Sequence, residues 1–561
     1  MAVLPVPPGN LCSTAIPKVQ GGYGVTTSLR QTNLAKLAGQ EFDVLVVGGG
    51  INGAVSAAAL AGRGVNVALI EREDFASGVS SQSSNLAWGG IKYLESYEFL
   101  LVNKLCRSRN ELMRAYPSTV KEIRFFTTIQ KGFRWPPLVI FLGSLLYWVM
   151  GRFKTAPPRY VSARKLEATE PVINTRQAAG GLEYSDCYLY DNDARFVFGF
   201  VRKALDYGCV AANYVAATSL RREQGRWLVE ARDTVSGDVF TIAAKALVNA
   251  AGPWLDTFNQ AADIQTGHHH VFSKGIHLIV DRVTDNKRVL TFFASDGRLF
   301  FLIPMGSRTC VGTTDTRVDS PEVGVTDEDR DFVLSNINAL LDMNPPLTRD
   351  SIISERCGVR PLAVGGDDGS ADWVQLSRKH VLEVNRERQH ISILGGKLTD
   401  CLNVGNEVVA ELIKLGISVP DPEASWYGEP PAEVHEEYLR QARLMQLDTL
   451  TAPTSSEPLS ERFWRRYGQA AFHLLERIRA DRSCARLLIG RAEYTRCEME
   501  MTAQREMVVK LEDFMRRRSK IELVLRRDEI VEAPGLRRAA EILFGEEAEQ
   551  RLAEYVAGDL D

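Results

Sequence analysis

Paired cysteines are missing from this 561-residue sequence. Its nine cysteines (Cys12, Cys106, Cys187, Cys209, Cys310, Cys357, Cys401, Cys484 and Cys497) are odd in number, lie far apart and include no C-x-x-C pair. That spacing argues against a disulfide framework or a zinc site and fits a reducing cytoplasm. A dominant charge is missing too. The 67 basic and 71 acidic side chains nearly cancel, so no global field draws the chain onto nucleic acid, and recognition of any anion has to be local. There is no internal repeat and no low-complexity segment. Residues 1–40 contain Pro5, Pro7 and Pro8 but no continuous apolar run, which reads as a loose N-terminal arm rather than a secretory signal.

Nor is any apolar run long enough to span a bilayer. The most membrane-like segment, Leu138–Met150 (LVIFLGSLLYWVM), is flanked by Arg134, Trp135, Arg152 and Lys154. As a helix it reaches roughly 20 Å, against a hydrocarbon core of ~30 Å. Two readings stand: a buried helix roofing a pocket, or an interfacial helix lying in one leaflet with its aromatic and basic flanks as anchors. The cluster Arg516, Arg517, Arg518, Lys520, Arg526 and Arg527 likewise admits a lipid-facing surface or, with Glu512, Asp513 and Asp528 interspersed, an ion-paired face.

What is present begins at Phe42–Val47 (FDVLVV), a valine-rich strand followed at once by Gly48, Gly50 and Gly53 in G-x-G-x-x-G spacing, an alanine-rich helix, a second strand Val65–Ile70 and Glu71. In this βαβ unit the glycines allow a tight turn, close approach of backbone to a pyrophosphate and close helix packing. The helix N-terminus favours the anion, and the acid accepts bonds from a ribose. A strand-like stretch Trp227–Arg232, a helix-like one Phe196–Tyr207 and strands at Ala246–Asn249, Gly275–Val280, Leu299–Pro304 and Thr309–Gly312 follow. From about Pro430 glycine thins out and apolar residues fall at helical spacing. The expected organisation is an arm (1–40), a discontinuous nucleotide-plus-substrate region (41–417), a Pro-containing linker (418–431) and a helical C-terminal domain (432–561).

Two further elements, ALVNAAGPWLD (Ala246–Asp256) and ILGGKLT (Ile393–Thr399), each run from a strand into glycine. With the first turn they resemble the FAD-dependent oxidoreductases of the D-amino acid oxidase type. The resemblance sharpens to the FAD-dependent glycerol-3-phosphate dehydrogenases through GGIKYLESYEF (Gly89–Phe99), DNDARF (Asp191–Phe196), SKGIH (Ser273–His277), VGTTDT (Val311–Thr316), GVRPL (Gly358–Leu362), GGKLT (Gly395–Thr399) and LEDFMRRRSKI (Leu511–Ile521). It implies an α/β fold: a Rossmann-type FAD domain, an interleaved β-sheet substrate domain and an α-helical C-terminal domain.

The resemblance implies FAD held by Gly48, Gly50, Gly53, Glu71, Ser80, Ser81, Ser84, Gly89, Gly90, Ala251, Gly252, Gly395, Gly396, Lys397, Leu398 and Thr399, with Ser83 alongside. Lys92, Tyr93, Arg360 and Arg378 are implied at the substrate, and Lys397 near the flavin ring. Oxidising an alcohol at a flavin needs a base for the hydroxyl proton, and His277 is the matching candidate, with a structural histidine as its alternative. Arg360 has the fork geometry for a phosphate or carboxylate. Three adjacent histidines, His268, His269 and His270, cannot all face one ion from a strand, and no metal is expected. The chain departs from the family where histidine before G-G is Trp88, arginine after it is Lys92, and Asp400, Cys401 and Leu402 follow G-G-K-L-T. Lys92 keeps charge but loses the bidentate fork.

The expected activity is oxidation of glycerol-3-phosphate, or a close anionic alcohol, with electrons passing through FAD to a quinone. An amino-acid or hydroxy-acid oxidase using oxygen and a catalytically idle flavoprotein with a binding role are the alternatives. Peripheral contact with membrane lipid at the cytoplasmic face is expected, and a homodimer is admitted.

Overall fold

The computed structural model describes residues 28–293, 299–365 and 379–558. Among these, two sheets dominate. The first has eight strands, ordered Val381–Asn385, His390–Leu394, Val239–Asn249, Glu41–Val47, Val67–Ile70 and Val210–Ala212, with Arg226–Asp233 and Val215–Glu223 added as a hairpin along the start of Val239–Asn249. Its central pairs are parallel: Val47 lies opposite Asn249 on one side and Ile70 on the other. Parallel strands need helical crossovers. The helix Ile51–Ala61 supplies one and packs its small residues against Asp193–Asp206 and Cys401–Lys414. This is the doubly wound core expected from the sequence, and its parallel strands carry continuous apolar runs because both faces are covered.

The second sheet, ten-stranded and mostly antiparallel, is built on the long strand His268–Asp281, flanked by Arg308–Gly312 and Ser354–Gly365, and continues through Val120–Gln130 and Ala178–Leu189. The fold is thus a Rossmann-type α/β architecture with an interleaved β-sheet region and a helical C-terminal part. From Ala432 the described chain is helical apart from an isolated bridge between Leu487 and Thr495.

Two sequence expectations change. The last part of the supposed arm is a helix, Leu29–Gly39, started by a capping box between Ser28 and Gln31 and pinned by the buried Arg30–Asp233 pair at 2.7 Å; residues 1–27 lie outside the described residues. The Pro-containing linker packs against the first sheet's helices through one aromatic residue. Trp426 is fully buried beside Gly62 and Gly405, where an added Cβ would come within 2.8 Å of its own Cβ and of its indole ring respectively, and its Nε1 donates to Asn406 Oδ1 at 2.9 Å. The apolar segment forms the helix Pro137–Met150 but is not a buried roof. Only Ser144 and Tyr147 are buried on it, whereas Leu138, Leu142, Leu146 and Val149, at helical spacing, form an exposed stripe with Leu138 at 66%. Among the described residues no helix is long and apolar enough to cross a membrane.

The basic cluster does not form a surface either. Arg517 and Arg518 are buried, and Arg516, Arg526 and Arg527 donate to the backbone carbonyls of Glu355, Ile352 and Tyr555. Lys520 lies 3.7 Å from the buried Asp191.

Candidate active site

A cavity of about 580 Å³ runs from the first glycine turn to the face of the second sheet. Its nucleotide end is dictated by the βαβ unit. Gly48 has φ +105, and a Cβ there would lie 2.7 Å from the Ala250 carbonyl carbon, so only glycine lets the two parallel strand ends approach this closely. Gly48 and Gly50 line the cavity. Gly53 does not: a Cβ there would overlap the Gly48 carbonyl, so this glycine serves helix-to-turn packing. Glu71 lines the wall, accepting from the Gly49 N–H at 2.6 Å and the Glu73 N–H at 3.0 Å. Burial pushes its carboxyl above the usual range, against the lowering effect of those two bonds.

Of the serines, Ser80, Ser83 and Ser84 face the cavity, and Ser80 Oγ accepts from the Ile51 N–H at 2.9 Å. Ser81 is turned away, donating to the Ser77 and Gly78 carbonyls from a 3-10 turn. Gly89 and Gly90 are also off the wall. Gly89 donates to the buried Asp186, and a Cβ there would sit 3.1 Å from Tyr147 Cζ; Gly90, at φ +80, lets the Tyr93 ring fold back over it. Ala251 and Gly252 line the middle of the cavity, as do Gly395, Gly396, Lys397, Leu398 and Thr399. The late turn is held from two sides, Asn52 Nδ2 donating to the Gly395 carbonyl at 3.0 Å and the Gly395 N–H to His270 Nε2 at 3.2 Å. His270 thereby has a structural role in the cofactor wall that the sequence did not signal. Its neighbour His268 pairs with Glu383.

The opposite end is polar and cationic. Ser273, Gly275 and His277 alternate onto one face of their strand, and Arg360 is registered opposite Ser273. Its guanidinium lies across Gly275, where a Cβ would come within 2.6 Å of Cζ. Arg360 Nη2 donates to Thr313 Oγ1 at 3.1 Å, and Asp315, bonded by the Ser273 hydroxyl, stands 3.8 Å from Nη1. Sequence reasoning quoted the VGTTDT and SKGIH stretches without assigning Thr313, Asp315 or Ser273 to this arginine. Ser273 lies on the strand His268–Asp281 and Thr313 and Asp315 in the connection after Arg308–Gly312, about forty residues on, which gives no linear signal.

His277 lines the cavity and is buried. Burial, then Arg360 and Arg356, lower it to about 3, so its imidazole is neutral at physiological pH. Neither ring nitrogen has a hydrogen-bond partner among the described residues. Lys397 Nζ donates to Tyr93 Oη at 2.6 Å and lies 4.0 Å over the same ring, so the two form one wall element. Trp88 is on that wall too.

Lys92 is not among the lining residues. The 3-10 turn Ile91–Leu94 rotates successive side chains by about 120°, so placing Tyr93 inward carries Lys92 off the wall. Arg378 lies outside the described residues. Asp400 and its followers leave the cavity as well. Its carboxylate is held by His380 Nδ1 at 3.1 Å, Ser108 Oγ at 2.8 Å and Lys104 at 3.1 Å, and Cys401 and Leu402 pack in the core.

The cavity therefore joins a glycine-lined, helix-capped trough to an arginine-bearing pocket. The backbone cradle at Gly48 and the N-terminus of the helix Ile51–Ala61 fit a dinucleotide pyrophosphate.

Residues 43–381 match the family model described as FAD dependent oxidoreductase, and residues 431–544 that described as C-terminal domain of alpha-glycerophosphate oxidase. A glycerol-3-phosphate dehydrogenase of Pseudomonas tolaasii is 32% identical over 86% of this chain and 92% of its own length. A D-erythritol 1-phosphate dehydrogenase of Brucella abortus is 32% identical over 64% of this chain and 70% of its own. The crystal structure of a glycerol-3-phosphate dehydrogenase from Bacillus halodurans complexed with FAD superposes with a TM-score of 0.69 at 25% identity, covering 94% of this chain and 97% of that one.

Proposed function

Because the chain belongs to the FAD-dependent glycerol-3-phosphate dehydrogenase family, and is therefore an FAD-dependent oxidoreductase, we propose that it oxidises glycerol-3-phosphate, or a closely related small anionic alcohol, to the ketone. The observation that carries this reading is the Arg360 guanidinium lying over Gly275 beside His277 at the end of the dinucleotide cavity. FAD, when bound, supplies the hydride acceptor.

Arg360 binds the phosphate through its fork, with Thr313 and Asp315 fixing the angle of the guanidinium. Tyr93 and Lys397 form the facing wall and offer positive charge toward the cofactor. His277, neutral and with free lone-pair capacity, takes the hydroxyl proton at a ring nitrogen. Two neighbouring arginines oppose its protonation in the free protein. A phosphate dianion on Arg360 cancels part of that opposition, so substrate binding itself raises the basicity of His277.

Electrons then leave to a quinone, and the exposed stripe of the helix Pro137–Met150 supports where: Leu138, Leu142, Leu146 and Val149, with Trp135 and Phe153 at its ends, suit the interface of a bilayer in which a quinone dissolves. The protein thus works as a peripheral membrane enzyme.

The test is anaerobic flavin bleaching with glycerol-3-phosphate, glycerol and small carboxylates at matched concentrations. Bleaching by the phosphate ester alone is expected. Equal bleaching by glycerol refutes the role of Arg360, and peroxide formation in air at the rate of turnover replaces the quinone by oxygen.

A further inference from the structure

Among the described residues none beyond Thr399 lines the large cavity, yet the C-terminal helices reach it indirectly. Arg517 and Arg518, at the end of Leu511–Ile521, converge on one carboxylate. Arg518 Nη1 and Nη2 donate to the two oxygens of Asp74 at 2.8 and 2.7 Å, and Arg517 Nε donates to Oδ2 at 2.7 Å. Asp74 and Arg518 have no solvent exposure, and Arg518 lies 3.9 Å over the Phe198 ring. Asp513 completes the cluster, accepting from Arg517 at 2.6 Å and from Tyr214 Oη at 2.8 Å, and Asn213 ties Asp74 to the Met507 carbonyl.

Asp74 sits in the segment that leaves the second strand of the βαβ unit. On either side of it Glu71, Arg72, Glu73, Ser77, Gly78 and Ser80 line the cavity. The same segment touches the glycine turn: the Ala76 N–H donates to the Gly49 carbonyl at 3.1 Å, and a Cβ on Gly49 would lie 2.6 Å from Phe75. Glu71 and Ser80 tie its two ends to the glycine turn by accepting from the Gly49 and Ile51 N–H groups, and backbone bonds such as Tyr214 N–H to the Glu73 carbonyl at 2.7 Å hold it to the sheet; Asp74 is what hydrogen-bonds it to the C-terminal helices. A buried carboxylate held by two guanidinium groups is costly to leave half-paired, so the position of Asp74 is fixed from the C-terminal side.

We propose that Arg517 and Arg518 are positioning residues for the cofactor: through Asp74 they hold the segment Glu71–Ser80 in the shape that receives FAD, making the C-terminal helices part of the cofactor site without contact with it. This rests on FAD as occupant of the cavity and is independent of which alcohol is oxidised.

The experiment uses the full-length protein, stripped of flavin and titrated with FAD, as Asp74→Asn and Arg517→Lys variants. Amide hydrogen exchange is followed in the FAD-free state, and the KM for glycerol-3-phosphate is measured at saturating FAD. A segment in its receiving shape a tenth of the time weakens FAD about tenfold, and that or more is expected for Asp74→Asn. Exchange should quicken in residues 71–81 but not in the helix 471–480, with KM unchanged. Arg517→Lys keeps its charge and leaves both Arg518 bonds in place, so it should fold and show the same changes in smaller measure; it decides the matter if Asp74→Asn does not fold. FAD affinity and exchange in 71–81 that match the unaltered protein in folded Arg517→Lys overturn the proposal. So does weakened FAD binding accompanied by an equal loss of protection throughout the helical region.

Discussion

Replacing Gly275 by alanine offers a way to disturb Arg360 without changing it. The backbone at Gly275 lies in an ordinary strand, so alanine is conformationally allowed there. The added methyl, however, would lie 2.5 Å from Arg360 Nη1 and 2.6 Å from Cζ. Ordinary contact needs about 3.5 Å, so the guanidinium has to withdraw by about 1 Å. The atoms that move are the far end of a side chain that is about a quarter exposed, and the fold is expected to absorb the change with little loss of stability. A bidentate phosphate contact cannot absorb it. Losing one charge-assisted hydrogen bond costs about 1.5–3 kcal/mol, which is roughly a 10- to 150-fold fall in kcat/KM. The assay is steady-state reduction of an artificial acceptor with glycerol-3-phosphate, alongside FAD content and thermal unfolding. The expected result is a raised KM with FAD content and melting temperature preserved. A KM equal to that of the unaltered protein, with the alanine in place and the flavin bound, would falsify the assignment of Arg360 to the substrate anion.

Other outcomes follow from the same geometry. Arg360→Ala should lower kcat/KM for glycerol-3-phosphate more steeply than Gly275→Ala and leave activity toward uncharged alcohols unaffected, while His277→Ala should act mainly on kcat; equal effects on both parameters in both variants would separate neither role. Gly53→Ala drives a methyl into the Gly48 carbonyl and should cost folding as well as flavin, whereas Gly50→Val, whose Cβ meets only Ser80 Oγ at 3.1 Å, should cost flavin alone, as read by absorbance ratio and circular dichroism. His380, opposed by burial but raised to about 9 by Asp400 and Glu407, contributes stability that is fully present below about pH 6.5 and is lost as pH rises through about 9. Denaturant titrations should show His380→Gln removing on the order of 3 kcal/mol at pH 6 and flattening that pH dependence. Leu142→Glu with Leu146→Glu should release the protein from anionic lipid vesicles in sedimentation while preserving turnover with a soluble acceptor; undiminished sedimentation rules out this helix as the attachment site.

The dinucleotide half of the site was legible because its chemistry is local. Gly48, Gly50, Gly53 and Glu71 fall within one βαβ unit, where residue spacing translates directly into a turn, a helix start and an acid at a strand end. The late turn Gly395–Thr399 was legible for the same reason. Arg360 and Tyr93, which the resemblance implied, line the cavity, but the resemblance could not foresee that a 3-10 turn takes Lys92 away from it, or that Gly89 and Ser81 bond inward. Likewise, Thr313, Asp315 and His270 become relevant only when distant strands lie side by side.

Sequence by itself determined the dinucleotide-binding βαβ unit and the shortness of the most membrane-like apolar run, since each follows from spacing within a short window, and the resemblance of its motifs implied FAD and the fold class. Tertiary structure alone decided which charges are available. The run Arg516–Arg518 looks in one dimension like a basic surface, but packing carries Arg517 and Arg518 onto Asp74 and out of the water. The apolar run Leu138–Met150 looks like core, but packing covers one face and leaves the other open. In both cases burial depends on what the rest of the chain places opposite a segment, and a linear pattern holds no record of that.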